Sequence, residues 1–196
     1  MPIINKNTPT DHDILELLQD RWSPRAFKPD PIPGEQIHQM LEAARWAASS
    51  YNAQPWRFIY AQQGTPAFAK INDTLVPGNQ AWAEKAPLLL LCAMKKDFDN
   101  GKPNFHAMYD LGQAVANLST QAQALGIALH QMAGLDRRKA AEVFQIPDTF
   151  EVITAIAAGY YGGDLSLLPE RMQAAEERGR ERLAVREFSA EGQWPG

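Results

Sequence analysis

The sequence predicts an α+β fold, and three observations carry that expectation. Helical and strand patterns mix along the chain without strict β-α-β alternation. Residues 88–93 and 152–158 are near-continuous apolar runs of strand length, as expected of sheet strands covered on both faces. Residues 105–125 form a proline-free, alanine-rich stretch, the longest predicted helix. The 196 residues suffice for one domain with a substantial core, and 45% hydrophobic with 21% charged residues is ordinary globular usage.

Taken in order, residues 11–20 read as a short amphipathic helix with Ile14, Leu15, Leu17 and Leu18 on its buried side. A proline-stiffened link over residues 28–33 leads to a second helix over 35–47, where Ile37, Met40, Leu41 and Ala44 recur at helical spacing. Residues 49–55 read as a polar turn, 56–61 as a strand, 66–75 as a helix and 76–80 as a turn. Residues 95–104 are polar with Gly and Pro and read as a mobile loop. After the long helix come a short strand at 127–130, a helix at 137–144, and the apolar strand at 152–158, closed by the glycine-rich residues 159–163. From 165 to 196 arginine and glutamate dominate, and the apolar residues thin to Leu183, Val185, Phe188 and Trp194. A tail of that composition cannot build its own core and reads as frayed, or as an arm laid across another surface.

Composition and missing motifs remove several function classes. A net charge of −4 argues against a dedicated nucleic-acid binder, which needs a basic surface to displace phosphate counterions. The lone Cys92 permits no intrachain disulfide and sits in an apolar run, where it reads as a small core residue. Residues 1–6 lack a signal-peptide core, and the longest apolar run is too short to cross a bilayer, so a cytoplasmic protein is expected. His12, His38, His106 and His130 form no zinc-binding pattern and read as surface or satisfied core residues. No dinucleotide, Walker or nucleophile-elbow motif is present, which leaves chemistry carried by a bound organic cofactor.

Two clusters could bind such a group. The first, Arg21-Trp22-Ser23-Pro24-Arg25, sets two guanidiniums and a hydroxyl beside a proline-pinned backbone. It suits a phosphate or carbonyl-bearing ring, although on this cluster alone a basic helix end answering the macrodipole is the favoured reading. The second, residues 48–56, is rich in short donors and acceptors and suits either a helix cap or a clamp on a polyhydroxylated chain.

Arg-x-Ser-x-Arg-x-Phe, a proline-rich link, Leu-x-x-Ala-Arg-Trp-Ala and then Ser-x-x-Asn-x-Gln-Pro-Trp-x-Phe, in this order across residues 21–58, resemble the nitroreductase family. Residues 124–127, 130–136 and 158–160 and Arg180-x-Arg182-Leu183 extend the match over nearly the whole chain from about residue 11. Two departures stand out: Ala48 lies where many members carry proline, and Ala133 where some carry an acidic side chain. The short link over 95–104 also implies that the long lid of dehalogenating relatives is missing.

The resemblance implies a mostly antiparallel central sheet flanked by helices. It also implies an intertwined homodimer, with residues 1–164 as an FMN-binding core and 165–196 as a C-terminal extension wrapping the partner subunit. Arg21, Trp22 and Ser23 would hold the FMN phosphate end together with Arg180 and Arg182, and Arg25 would face the pyrimidine edge of the flavin. Ser49, Ser50 and Asn52 would reach the FMN held mainly by the partner. Gln131, Met132, Ala133 and Gly134 would run along the ring, with backbone N–H groups close enough to bond it.

By the same resemblance the activity is FMN-dependent reduction of nitroaromatics, quinones or similar flat, electron-poor acceptors. NADH or NADPH donates, and donor and acceptor take turns on one flavin face. No protein nucleophile or base is required. Phe105 and Trp82 are candidates to stack on a flat substrate. The remaining arginines and glutamates of the tail, including Glu176, read as a solvated charged face. A same-fold enzyme with another redox task, such as heterocycle dehydrogenation or enone reduction, and a non-catalytic FMN carrier or sensor are the alternatives.

Overall fold

The structure, a computed structural model, describes residue 6 and residues 8–195; the expectation drawn from residues 1–6 therefore lies, but for residue 6, outside the described residues. A four-stranded sheet in the order β1-β2-β4-β3 organises the chain. Its strands are β1 (Trp56–Gln62), β2 (Leu88–Lys95), β3 (Ile127–Met132) and β4 (Phe150–Tyr160), and every pairing is antiparallel. The expected α+β class and antiparallel sheet are what the structure contains.

The apolar runs become the two central strands because strand side chains alternate between faces. Along β2, Leu89, Leu91 and Ala93 enter one core, with Ile71, Trp82 and Ala140 from α3 (Pro66–Asn72), α4 (Pro77–Ala83) and α6 (Arg137–Val143). Leu88, Leu90, Cys92 and Met94 enter the other, with Ile37, Met40 and Ala44 of α2 (Gly34–Arg45) and Leu111, Val115 and Leu118 of α5 (Ala107–Ala124). Cys92 is fully buried there and its thiol is held far above the ordinary range by desolvation, so it is a core residue and not a nucleophile.

Four elements differ from expectation. Only α1 (Glu16–Asp20) of the helix expected over 11–20 is helical, and among the described residues Ile14, Leu15 and Leu18 are left exposed. Residues 76–80 are not a turn. Pro77 starts α4 at a position where its missing N–H costs nothing, and the Val76 N–H and the Asn79 side chain both donate to the Gly134 carbonyl (3.1 and 2.9 Å). Residues 96–104 form a closed loop tied by Phe98 N to Lys102 O (2.8 Å), Asn104 N to Lys96 O (2.9 Å) and a bridge between Asp97 and Pro103. Strand β4 runs through Gly159 instead of stopping before it.

Residues 21–28 lie as an extended segment against the exit of β4. Phe27 bridges Tyr161, Lys28 N donates to Tyr160 O (3.0 Å) and Gly163 N donates to Ala26 O (3.2 Å). A Cβ on Gly159 would meet the Phe27 side chain and Pro87 within 3 Å, so glycine is what lets this segment approach. After β4, Leu168 is buried in the α4-side core, with Leu165 and Met172 packed against it, and α7 (Glu170–Glu177) returns the chain to residue 25. Beyond α7, Leu183, Phe188 of α8 (Val185–Phe188) and Trp194 are exposed. No helix among the described residues is long and apolar enough to cross a membrane.

Candidate functional site

Folding brings together charges that are more than 150 residues apart. Lys6, Arg21, Arg25, Arg180 and Arg182, with Trp22 and Ser23, line one cavity of about 300 Å³. The segment on the β4 exit supplies one wall and the chain after α7 supplies the other. Arg21 donates to Ser23 Oγ (3.4 Å), Arg180 donates to the carbonyl of Gln19, and Arg182 to that of Glu181 (2.7 Å). Burial and the neighbouring Arg21 push the Arg180 guanidinium below its ordinary pKa, and burial does the same to the Lys6 ammonium. Such crowding of cations favours an anion. The helix-dipole reading of Arg21 and Arg25 loses ground, because α1 is five residues long.

Glu176 is one residue that sequence reasoning missed. It is not solvated: its side chain is 1% exposed, with one carboxylate oxygen accepting from the Arg25 backbone N–H (3.0 Å) and the other from the Arg25 guanidinium (3.2 Å). The Arg/Glu pattern around it gave no signal, since burial of one glutamate in a charged run depends on a partner 151 positions away. Lys6, above the Trp22 ring at 4.4 Å, was likewise not singled out.

Arg25 is held from a second direction by α4 and β3. Its guanidinium lies 5.9 Å from the Trp82 ring centroid, and Trp82 packs on His130 at 4.6 Å. Trp82 is 1% exposed, so it cannot offer a face to substrate as expected; its ring is a wall behind Arg25. Phe105, at 91% exposed, remains available.

His130 Nδ1 lies 3.1 Å from the Pro24 carbonyl, which can only accept, so Nδ1 carries the hydrogen. Burial, and then the Arg25 charge, lower its pKa from 6.5 to about 4. The neutral ring is therefore the folded form, while the unfolded chain takes up its proton near the ordinary value. Stability from this group is complete above about pH 6.5 and declines as pH falls to about 4, by on the order of 3 kcal/mol. Urea midpoints between pH 7 and 4 should show that decline, and His130→Asn should flatten it; an equal slope in both proteins would refute the assignment.

Gln131 and Met132 end β3, an edge strand with one backbone rim unpaired by any strand among the described residues, and Ala133 and Gly134 follow it. Met132 is buried in the core, so only its backbone could meet a ligand, while Gln131 and Ala133 are exposed. The missing Cβ of Gly134 would fall 2.8 Å from Asn79 and Val76, so its small size also serves the contact with α4.

The second cluster does not reach the arginine cavity of its own chain. Ser50 and Asn52 belong to a 3-10 turn, Ser50–Asn52, and Asn52 borders a separate cavity of about 700 Å³ between that turn and the 95–104 loop. Ser49 Oγ accepts from Gln54 N (3.0 Å), and Ser50 N donates to Asp110 (3.1 Å), a 2%-exposed carboxylate of α5 that sequence reasoning also missed. Tyr51, Asn52 and Gln54 all have φ between 47° and 55°, a conformation that side-chain-bearing residues adopt at some cost.

Comparison with known proteins then decides the family, since a model of the nitroreductase family matches residues 18–74 and 60–160. The chain belongs to the nitroreductase family. It is 30% identical over 149 residues to an uncharacterised 15.4 kDa protein of Mycolicibacterium smegmatis, covering 70% of this chain and 97% of that one. It is 28% identical over 180 residues to protein DrgA of Synechocystis, covering 75% and 83%. A crystal structure described as an oxidoreductase containing FMN is similar with a TM-score of 0.92 and 34% identity, covering 97% of this chain and 98% of that one. A nitroreductase family protein of Clostridium difficile 630 shares the fold at a TM-score of 0.72, with 24% identity and 93% and 99% coverage.

Proposed function

We propose that this nitroreductase-family chain is an FMN-dependent oxidoreductase. In this reading it works as a homodimer and uses NADH or NADPH to reduce flat, electron-poor acceptors such as nitroaromatics or quinones. The observation that carries the reading is the cavity where Arg21, Arg180 and Arg182 meet from opposite ends of the chain. Its donor set fits a phosphate. The guanidiniums face a space whose one lining carboxylate, Glu176, is already engaged by Arg25, leaving net positive charge for a dianion. The similar structure at 34% identity is described as containing FMN, and a Bacillus subtilis relative 31% identical over 107 residues is an FMN reductase [NAD(P)H]; the match covers 54% of this chain and 41% of that protein.

Bound FMN would supply the two-electron chemistry, accepting electrons from NAD(P)H and passing them to the acceptor. The chain's own task is to bind, orient and tune. Arg21, Ser23, Arg180 and Arg182 would hold the phosphate, with Trp22 as wall. Arg25, fixed from two sides, would offer its remaining guanidinium N–H donors to the pyrimidine edge, where they favour added negative charge on the ring. Backbone groups of Gln131 to Gly134 would line the ring on the free rim of β3.

Ser49, Ser50 and Asn52 would act on the FMN of the partner subunit, which accounts for their separation from the arginine cavity of their own chain. Uncovered apolar side chains support the dimer. Ile14, Leu15 and Leu18 near α1, Met108 and Tyr109 on α5, and Leu183, Val185 and Phe188 in the tail are exposed in the single chain, more than a monomer tolerates without reason. In this reading residues 1–164 are the core, the chain from Leu165 to Glu176 packs back on it, and the exposed part of the extension from Leu183 on would cross the partner. A cytoplasmic location fits, because NAD(P)H is supplied there.

The purified protein should show a flavin absorption band that bleaches on anaerobic addition of NADH or NADPH and returns with an acceptor. It should sediment as a dimer. Colourless protein whose melting temperature does not rise with FMN would end the proposal, and bound FMN with no NAD(P)H oxidation would leave only a flavin carrier.

A further inference from the structure

We propose that Glu176 is a positioning residue that closes the anion cavity, seating the chain after α7 so that Arg180 and Arg182 face Arg21. The inference rests on the phosphate reading above and adds a residue to it. Glu176 is the last-turn glutamate of α7, and its carboxylate spans the main chain and side chain of Arg25, which fixes both the approach of the helix and the guanidinium. On either side of it in sequence, the carbonyls of Ala175 (3.3 Å) and Arg178 (2.8 Å) accept from the Lys6 ammonium. Two residues further on, Arg180 reaches the Gln19 carbonyl. The second wall of the cavity is thus pinned at three places, and Glu176 is its buried, charge-bearing pin.

The physical reason lies in like-charge repulsion. Lys6, Arg25, Arg178, Arg180 and Arg182 converge with Arg21 around one space, and without a counter-charge the tail would be driven away from residues 21–25 whenever no anion is bound. One carboxylate, desolvated and using both oxygens on Arg25, offsets that repulsion, while among the described residues Arg21, Arg180 and Arg182 pair with no carboxylate and keep their charge for a ligand. Glutamine keeps the shape of the side chain and an acceptor for the Arg25 N–H but removes the charge, and its amide NH2 opposes the guanidinium.

The test compares FMN with riboflavin, which lacks the phosphate, by fluorescence titration of apoprotein. Glu176→Gln should weaken FMN binding by about tenfold or more and riboflavin binding several-fold less, because the phosphate depends on the seated tail while riboflavin loses only the fixed geometry of Arg25. Glu176→Asp, which keeps the charge, should recover part of the FMN affinity. In apoprotein, trypsin should cut after Arg178, Arg180 and Arg182 faster in Glu176→Gln than in the unaltered protein. Equal losses for both ligands, or unaltered FMN affinity with unaltered tryptic cutting, would overturn the positioning role. Unaltered protein that binds riboflavin as tightly as FMN would instead overturn the phosphate reading, and this inference with it.

Discussion

Replacing Arg21 and Arg182 together with alanine is expected to strip FMN from the protein and leave its fold in place. A charge-assisted hydrogen bond contributes about 1.5–3 kcal/mol, so losing one guanidinium from each wall should cost about 3–6 kcal/mol of binding, or about 10²–10⁴-fold in affinity. Riboflavin should bind the variant as it binds the unaltered protein. Stability should change little, because among the described residues the two side chains donate only to Ser23 Oγ and the Glu181 carbonyl, and removing mutually repelling cations offsets part of that loss. FMN titration beside a thermal melt checks both halves. Full retention of FMN would refute the phosphate assignment even if the protein proved to be a flavoenzyme.

Gly163→Ala should have the largest effect on stability. A Cβ there would stand 2.1 Å from the Phe27 carbonyl oxygen, 2.5 Å from its carbon and 2.6 Å from its nitrogen, all backbone atoms. Flexible side chains can move aside; this backbone is held by the Phe27–Tyr161 bridge and by the bond from Gly163 N to Ala26 O (3.2 Å). The methyl must therefore push the extended segment off the β4 exit, at a cost of about 3 kcal/mol by the usual scale of overpacking. That segment carries Arg21, Ser23 and Arg25, so FMN affinity should fall with stability. A urea midpoint equal to that of the unaltered protein would mean the segment lies elsewhere in solution.

Elements whose evidence is local were legible in the sequence. The helix of Ile37, Met40 and Ala44, the long α5 and the two apolar central strands follow from periodicity and run length, which need no knowledge of the partner surface. The basic segment at 21–25, the polar turn at 49–52 and the pair Arg180 and Arg182 were legible as motifs, and the first and last of these do line one cavity. Elements whose state depends on distant contacts were not. Val76-Pro77-Gly78-Asn79 has turn chemistry, yet Trp82 needs burial behind Arg25, and the Gly134 carbonyl captures the start of α4. Residues 11–15 have helical apolar spacing, yet among the described residues nothing buries Ile14 and Leu15, and the helix is short.

What the sequence determined by itself, then, is the class of fold, the family, and the chemical kind of each binding cluster, since side-chain type and spacing travel with the chain. Tertiary structure alone decided which charges meet: that Glu176 is buried against Arg25 and not in solvent, that Trp82 is a wall and not a stacking face, and that the 49–52 turn stands apart from the arginines of its own chain. The reason is electrostatic and steric. The cost of burying a charge depends on what lies within a few ångströms in space, and for these residues those neighbours stand dozens to more than a hundred positions away along the chain.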